Sequence, residues 1–444
     1  MERLESTENL ESAEQKSFDE ILSEVDETHT SVLRSLKVTR PEAKGEFLSD
    51  PSLEHPNNTR DNLDPDDAVA KLNKIAGIES SLDTMEISDK QRQAIELSLE
   101  DNKQSNLFIL ACANYNENPS EEAREMYLTA GEALYGKPDE DTFWVLFNED
   151  LEKARVNAEE QGMMNEYNEL TGLIGEIKHP EVERFVPKSE TVSRMHEMVE
   201  DFYGPLFEKI PEDKDEFTIE EAAEIANSIF AEFLPEDSKW HAVVSENATA
   251  ASVSQETFTV SFPGRRALGN YDRQSLKRIL VHEVGTHAMR GIPYEEAKSG
   301  MFRTGVPGYE EFEEGLAKVM EQAVDGEYSE TPVPRLRYIC SGLANYKCGN
   351  FRETFEIQKR LEHLAYGRKD TQVFDTVQRA YRGTDELPNN KDIVYYNGIS
   401  KVWQYIEEHI DDPTLFDTLF LSGKTNFLIA DHEKMSYEIK VNGI

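Results

Sequence analysis

The sequence predicts an α+β fold, mostly helical, in which a small β-sheet packs on a helix that carries paired histidines. Three observations predict it. Apolar residues recur at helical spacing from about residue 66 to 233, the period shifts toward two around Trp240, and helical spacing returns after Asp272. That last run ends in Val281-His282-Glu283-Val284-Gly285-Thr286-His287, the most regular apolar stretch of the chain. At 444 residues there is room for two or three domains and a sizeable core. The expected division is 1–65, an acidic and mostly disordered tail; 66–239, a helical region; and 240–444, the region of the sheet and the histidine helix.

Residues 1–65 are rich in Glu, Ser, Asp, Asn and Pro, and Phe18 and Phe47 are their two aromatic residues. Phe18, Ile21, Leu22 and Val25 fit one short helix. Pro41, Pro51, Pro56 and Pro65 then punctuate the rest, which predicts disorder. Asp66 or Asp67 is the expected cap of the first long helix, and Leu107–Cys112 is a buried segment of the next. Further helices are expected at 120–135, 141–162, 164–177, 189–203 and 218–233. Their methionines and aromatics, such as Met195 and Phe202, read as core.

His241–Val244 and Thr257–Phe262 alternate β-branched or aromatic residues with others, and Pro263-Gly264 marks a turn after the second. They read as a hairpin-like pair with a loop at 245–254. Thr257–Phe262 is the expected free edge for extended substrate. Asp272 then offers an N-cap for the helix carrying Leu276, Ile279, Leu280 and Val284.

With 47 Lys+Arg against 88 Asp+Glu the formal charge is −41, which opposes nucleic acid and anionic membrane as partners. No run approaches the roughly 18 apolar residues of a membrane helix. The chain begins with charge at Glu2, Arg3 and Glu5 and lacks the apolar segment of a secretory signal. Cys112, Cys340 and Cys348 are odd in number and lack metal-site spacing, which suits a reducing compartment. A cytoplasmic protein is therefore expected.

Two imidazoles are good zinc ligands, and a carboxylate beside them can take a proton from water that the metal activates. The histidine spacing is unusual. Residues at i and i+4 stand about 40° apart around an α-helix, whereas His282 and His287, at i and i+5, would stand about 140° apart. An unbroken α-helix cannot aim both at one ion. In that case Glu283 and His287 would form an ordinary i,i+4 pair. A π-bulge at Gly285, which tolerates backbone angles other residues avoid, would restore a shared face. A third protein ligand must come from elsewhere. The turn at 305–308 leads into a carboxylate-dense helix containing Glu310, Glu311, Glu313 and Glu314. Gly315 inside it costs about 1 kcal/mol relative to alanine. Close approach of another backbone would explain that glycine and singles out Glu313 or Glu314.

The block His282-Glu283-Val284-Gly285-Thr286-His287, with Gly308-Tyr309 and Glu313-Glu314-Gly315-Leu316-Ala317 downstream, resembles the microtubule-associated tyrosine carboxypeptidases, tubulin-detyrosinating zinc enzymes with bacterial relatives. A later block, Tyr381-Arg382-Gly383 and Lys391-Asp392-Ile393-Val394-Tyr395-Tyr396-Asn397-Gly398, is similar to the family's Arg-Gly and Lys-Asp-x-x-Tyr-x-x-Gly signature. The resemblance is anchored between about residues 243 and 403. It departs from the bacterial pattern at Glu313, where a glutamine is common. The resemblance implies that His282, His287 and Glu314 bind Zn2+ and that Glu283 is catalytic.

Taken together, the sequence predicts a zincin-like metallopeptidase, in which 240–444 is the catalytic region, acting as a carboxypeptidase on the C-terminal tail of a peptide or protein. A guanidinium and an ammonium suit a free terminal carboxylate, which assigns Arg382 and Lys391 to substrate binding. Tyr395 could donate a hydrogen bond to the developing oxyanion. The alternative is a non-catalytic or endoproteolytic scaffold that binds peptide tails.

Overall fold

A computed structural model describes residues 18–38, 40, 42–85, 87–246, 248, 250–264, 269–292, 305, 308–330, 332–421 and 423–426. It is mostly helical, with two small sheets. In the first sheet β1 (Glu216–Phe217) pairs antiparallel with β5 (Tyr271–Asp272). The second has three strands, β2 (His241–Ser245), β3 (Ser252–Ser254) and β4 (Thr259–Pro263), in the order β2-β4-β3. β2 runs parallel to β4, so they are not a hairpin, and β3 from the intervening loop pairs antiparallel on β4's other side. The strand expected at the free edge is therefore the central one. β4 is covered on both flanks because β2 and β3 pair with it, its Val260 and Phe262 enter the core, and β3 is an edge strand beside the histidine helix.

Side chains of the expected kind cap the helices. Asp272 accepts from the Ser275 amide at 2.7 Å and starts the histidine helix, as the sequence predicts. The first long helix instead begins at Pro65. Asp64 is its cap, accepting from the Asp67 amide at 3.0 Å, and proline fits the first turn because its missing N–H has no partner there in any case.

One apolar core joins the helices Ser189–Phe207 and Ile219–Phe233, the sheet, the histidine helix and the helices Tyr309–Asp325 and Ile393–His409. A second joins Glu140–Gln161 and Met164–Ile174 to Pro332–Tyr346 and Phe351–Tyr366. Helices from both sides of residue 240 thus share their cores.

The described part of 1–65 contains short helices, Phe18–Asp26, Val32–Ser35 and Glu42–Ser49, packed on the rest of the chain. The physical reason lies far away in sequence. Phe47 is fully buried against Phe351, Phe355 and Phe374, and the Arg352 guanidinium stacks 3.5 Å from its ring centroid. Arg352 also donates to the carbonyls of Phe47, Asp50 and Leu53, so prolines that break local structure leave carbonyls for a distant guanidinium. A buried polar set fixes the loop at 28–30: Asn102 donates to the Thr28 hydroxyl at 2.8 Å and Asn106 to the Thr28 carbonyl at 3.0 Å, while Thr30 donates to Asn106 at 2.8 Å. Residues 1–17 lie outside the described residues. No helix of the described residues is long and apolar enough to cross a membrane.

Candidate metal centre

The histidine helix starts as an α-helix at Arg273–Ile279, continues as a π-helix over Leu280–Ala288, and ends in an α-helical turn at Met289–Gly291. In a π-helix the hydrogen-bond offset is five residues, so side chains five apart lie one above the other. His282 and His287 consequently meet, with their Nε2 atoms 3.2 Å apart. Thr286 supports the wide turn by donating to the Val281 carbonyl at 2.9 Å, again five residues back. Gly285 is needed here for space rather than for unusual angles, because its φ is not positive. A Cβ there would lie 2.6 Å from the Tyr203 ring, and the Tyr203 hydroxyl donates to the Gly285 carbonyl at 2.7 Å.

Glu314 comes from the helix Tyr309–Asp325, and its Oε2 lies 3.8 Å from His287 Nε2. One ligand atom from each of His282, His287 and Glu314 falls within 4.8 Å of the others, a spacing that fits a single ion. Two nitrogens and a carboxylate oxygen are donors that zinc accepts, with a further position left for water or substrate. The other imidazole nitrogens face carboxylates. His287 Nδ1 is 2.9 Å from Glu313 Oε1, so its N–H points at Glu313 and its Nε2 lone pair at the site. Glu321 Oε1 lies 2.6 Å from His282 Nδ1, though out of line for a hydrogen bond.

The adjacent glutamates thus have different surroundings. Glu313 sits behind His287, paired with Arg290 and with Lys424 Nζ at 3.0 Å. Burial alone would raise its pKa, but Lys424, Arg290 and the His287 contact outweigh burial and hold the carboxyl well below the usual range. Glu283 is also buried and lacks such compensation. Burial pushes its carboxyl up to about 7, with Glu314 adding to the rise and His282 opposing it.

All seven residues singled out from sequence line one cleft of about 1470 Å³. Tyr395, on the helix Ile393–His409, donates to Glu314 Oε1 at 3.3 Å. Lys391 is buried and tied to Glu310 at 3.2 Å. Arg382 lines the cleft, and among the described residues its guanidinium has no hydrogen bond or ion pair. Sequence reasoning missed several neighbours. Arg379 forms a two-pronged pair with Asp392, and Arg337 stands 3.7 Å from the same carboxylate while covering the Tyr395 ring at 5.1 Å. Arg290, Lys424 and Glu321 were also beyond local pattern, because their partners lie in other elements, and Glu313, one of the two candidates for the third ligand, instead backs His287. The edge strand contributes Ser252 and Val253 to the same cleft, where extended backbone can pair with β3.

Comparison with known proteins agrees with the geometry. A family model described as microtubule-associated tyrosine carboxypeptidase matches residues 178–440, more than half of the chain. No curated protein matches it.

Proposed function

The chain belongs to the microtubule-associated tyrosine carboxypeptidase family, and from that premise we propose that it is a zinc-dependent carboxypeptidase on a zincin-like scaffold. It removes a C-terminal residue from a peptide or protein tail, and the family implies a tail of the tubulin type. The convergence of His282, His287 and Glu314 beside Glu283, inside a cleft, carries this reading.

His282, His287 and Glu314 would hold the ion. Bound there, zinc would supply Lewis acidity toward the scissile carbonyl and the attacking water. Glu283 accepts the water's proton and passes it to the leaving amine, a role suited to a carboxyl whose pKa burial raises toward neutrality. The Tyr395 hydroxyl, already beside Glu314, donates to the carbonyl oxygen as its charge develops. Arg382 receives the terminal carboxylate, and Lys391 adds positive charge from beneath the cleft wall. The three free thiols support placing the enzyme in the cytoplasm. The strongly acidic chain favours peptide tails over nucleic acid or anionic membrane as partners.

The test is metal content measured beside mass spectrometry of a peptide library. One zinc per chain and loss of single C-terminal residues are expected. Glu283→Gln should keep the zinc and lose turnover by about 10²–10⁴-fold. Internal cuts would replace the exopeptidase assignment with an endopeptidase. Peptides bound but left intact by the parent protein would make the chain a binding scaffold.

A further inference from the structure

Resting on the carboxypeptidase reading, we propose that Gln255 is a positioning residue that holds the edge of the small sheet at the separation from the metal centre at which a paired peptide presents its scissile carbonyl. Gln255 directly follows β3, the edge strand whose Ser252 and Val253 line the cleft with His282, His287 and Glu314. Its side-chain amide crosses to the histidine helix and donates to the His287 main-chain carbonyl at 2.6 Å. One hydrogen bond therefore runs from the end of the strand that can pair with peptide to the backbone of a metal ligand.

Two further observations mark this contact as built. Gly291, one turn beyond His287, leaves the space that the amide occupies: a Cβ there would lie 1.9 Å from Gln255 Oε1 and 2.6 Å from its Cδ. Gln255 is also buried, and among the described residues its Oε1 has no hydrogen-bond partner. An apolar side chain of similar length would avoid the cost of that covered acceptor. The amide's donor, and what it fixes, is the remaining reason for a glutamine here.

What it fixes is a distance. β3 is three residues long, and among the described residues it pairs on one side only, with β4. An extended peptide added to its other side is carried by the strand, so a drift of β3 away from His287 draws the peptide carbonyl away from the metal site. Misplacement by about 1 Å can cost about 10²-fold in rate. The three ligands, by contrast, stand on the π-helix and on Tyr309–Asp325, so holding zinc is separable from the position of the strand.

Gln255→Met keeps the length of the side chain and removes both the donor and the unpartnered acceptor. Its zinc affinity in competitive titration and its thermal unfolding should match the parent. On a peptide of about eight residues kcat should fall about 10–100-fold with KM changed by less than about threefold, whereas an N-acetylated dipeptide with the same last residue, too short to lie along β3, should lose no more than about twofold. Equal losses on the two substrates, or weakened zinc, would mean that Gln255 merely supports His287 and would overturn the assignment. Gly291→Ala should displace the amide and reproduce the defect, and adding it to Gln255→Ala should change nothing further because the space is then open. The separation is also read without turnover, by nuclear relaxation of a peptide carbon-labelled at its scissile carbonyl and bound to cobalt-substituted Glu283→Gln protein. Gln255→Met should weaken the effect of cobalt on that carbon. Cleavage by the parent with neither kcat nor the carbonyl moved in Gln255→Met keeps the carboxypeptidase reading and removes the role of Gln255. A carbonyl that recedes from cobalt in Gln255→Met, without cleavage by the parent, does the reverse, and absence of both binding and cleavage removes both.

Discussion

Gly315 and Gly398 pack backbone against backbone. A Cβ on Gly315 would lie 2.3 Å from the Gly398 carbonyl carbon, and one on Gly398 would lie 2.0 Å from the Glu311 carbonyl oxygen. This contact brings the helices Tyr309–Asp325 and Ile393–His409 close enough for Tyr395, one turn before Gly398, to reach Glu314, the residue before Gly315.

Gly315→Ala therefore tests the close approach by the sign of its effect. In an open helix the change would stabilise by about 1 kcal/mol. Here the added methyl must push two backbones apart, as overpacked cores do, and a loss of about 1–3 kcal/mol is expected in urea unfolding. Turnover should fall with it as Tyr395 withdraws from Glu314. An alanine variant at least as stable as the parent would show that the contact does not constrain the helices.

Glu313 and Glu314 are neighbours in sequence with separate effects. Glu313→Gln leaves the three ligand atoms in place but weakens the acceptor behind His287 and leaves Arg290 and Lys424 facing a neutral amide. Loss of such an orienting partner typically lowers metal affinity about 10–100-fold. Competitive zinc titration should show that loss, together with a lower melting temperature of the metal-free protein. Glu314→Gln should weaken zinc at least as much while sparing the metal-free stability.

The comparison of these glutamates shows what the sequence carries. The i,i+5 spacing of His282 and His287 already requires a widened turn, and Gly315 already requires a close neighbour, because both arguments are local and geometric. The direction of β2 against β4 is not local, since a parallel pair and a hairpin share one apolar pattern. Phe47, Arg352 and the loop at 28–30 were illegible for a related reason: each finds its partners in helices far along the chain.

Tyr203 and Gly285 make a second test of the π-helix. Gly285→Ala places a methyl against the Tyr203 ring, with no room at 2.6 Å, so the helix must shift or the ring must leave. Zinc content should drop as His282 and His287 lose their common face. Tyr203→Leu in the same protein frees the space and should restore part of the zinc, at the cost of about 1 kcal/mol for the lost hydrogen bond to the Gly285 carbonyl. Failure of the double variant to regain any zinc would separate the glycine's importance from the tyrosine.

Asp392 sets the acid limit of the structure. Burial would raise its pKa, but Arg379, Arg337 and Arg382 together hold it far below the ordinary aspartate value of 3.8. A depressed folded-state pKa contributes stability that is complete above 3.8 and is lost as pH falls from there toward the folded value. Unfolding free energy measured between pH 7 and 2 should therefore decline below about pH 4. Asp392→Asn should lose about 1.5–3 kcal/mol at neutral pH, because it leaves part-buried arginines without a counter-charge, and its stability should depend less on pH across the acid range. A parent and variant with parallel acid profiles would mean that other carboxylates, such as Glu321, whose pKa Lys318 and His282 pull down to about 2 against burial, dominate the acid transition instead.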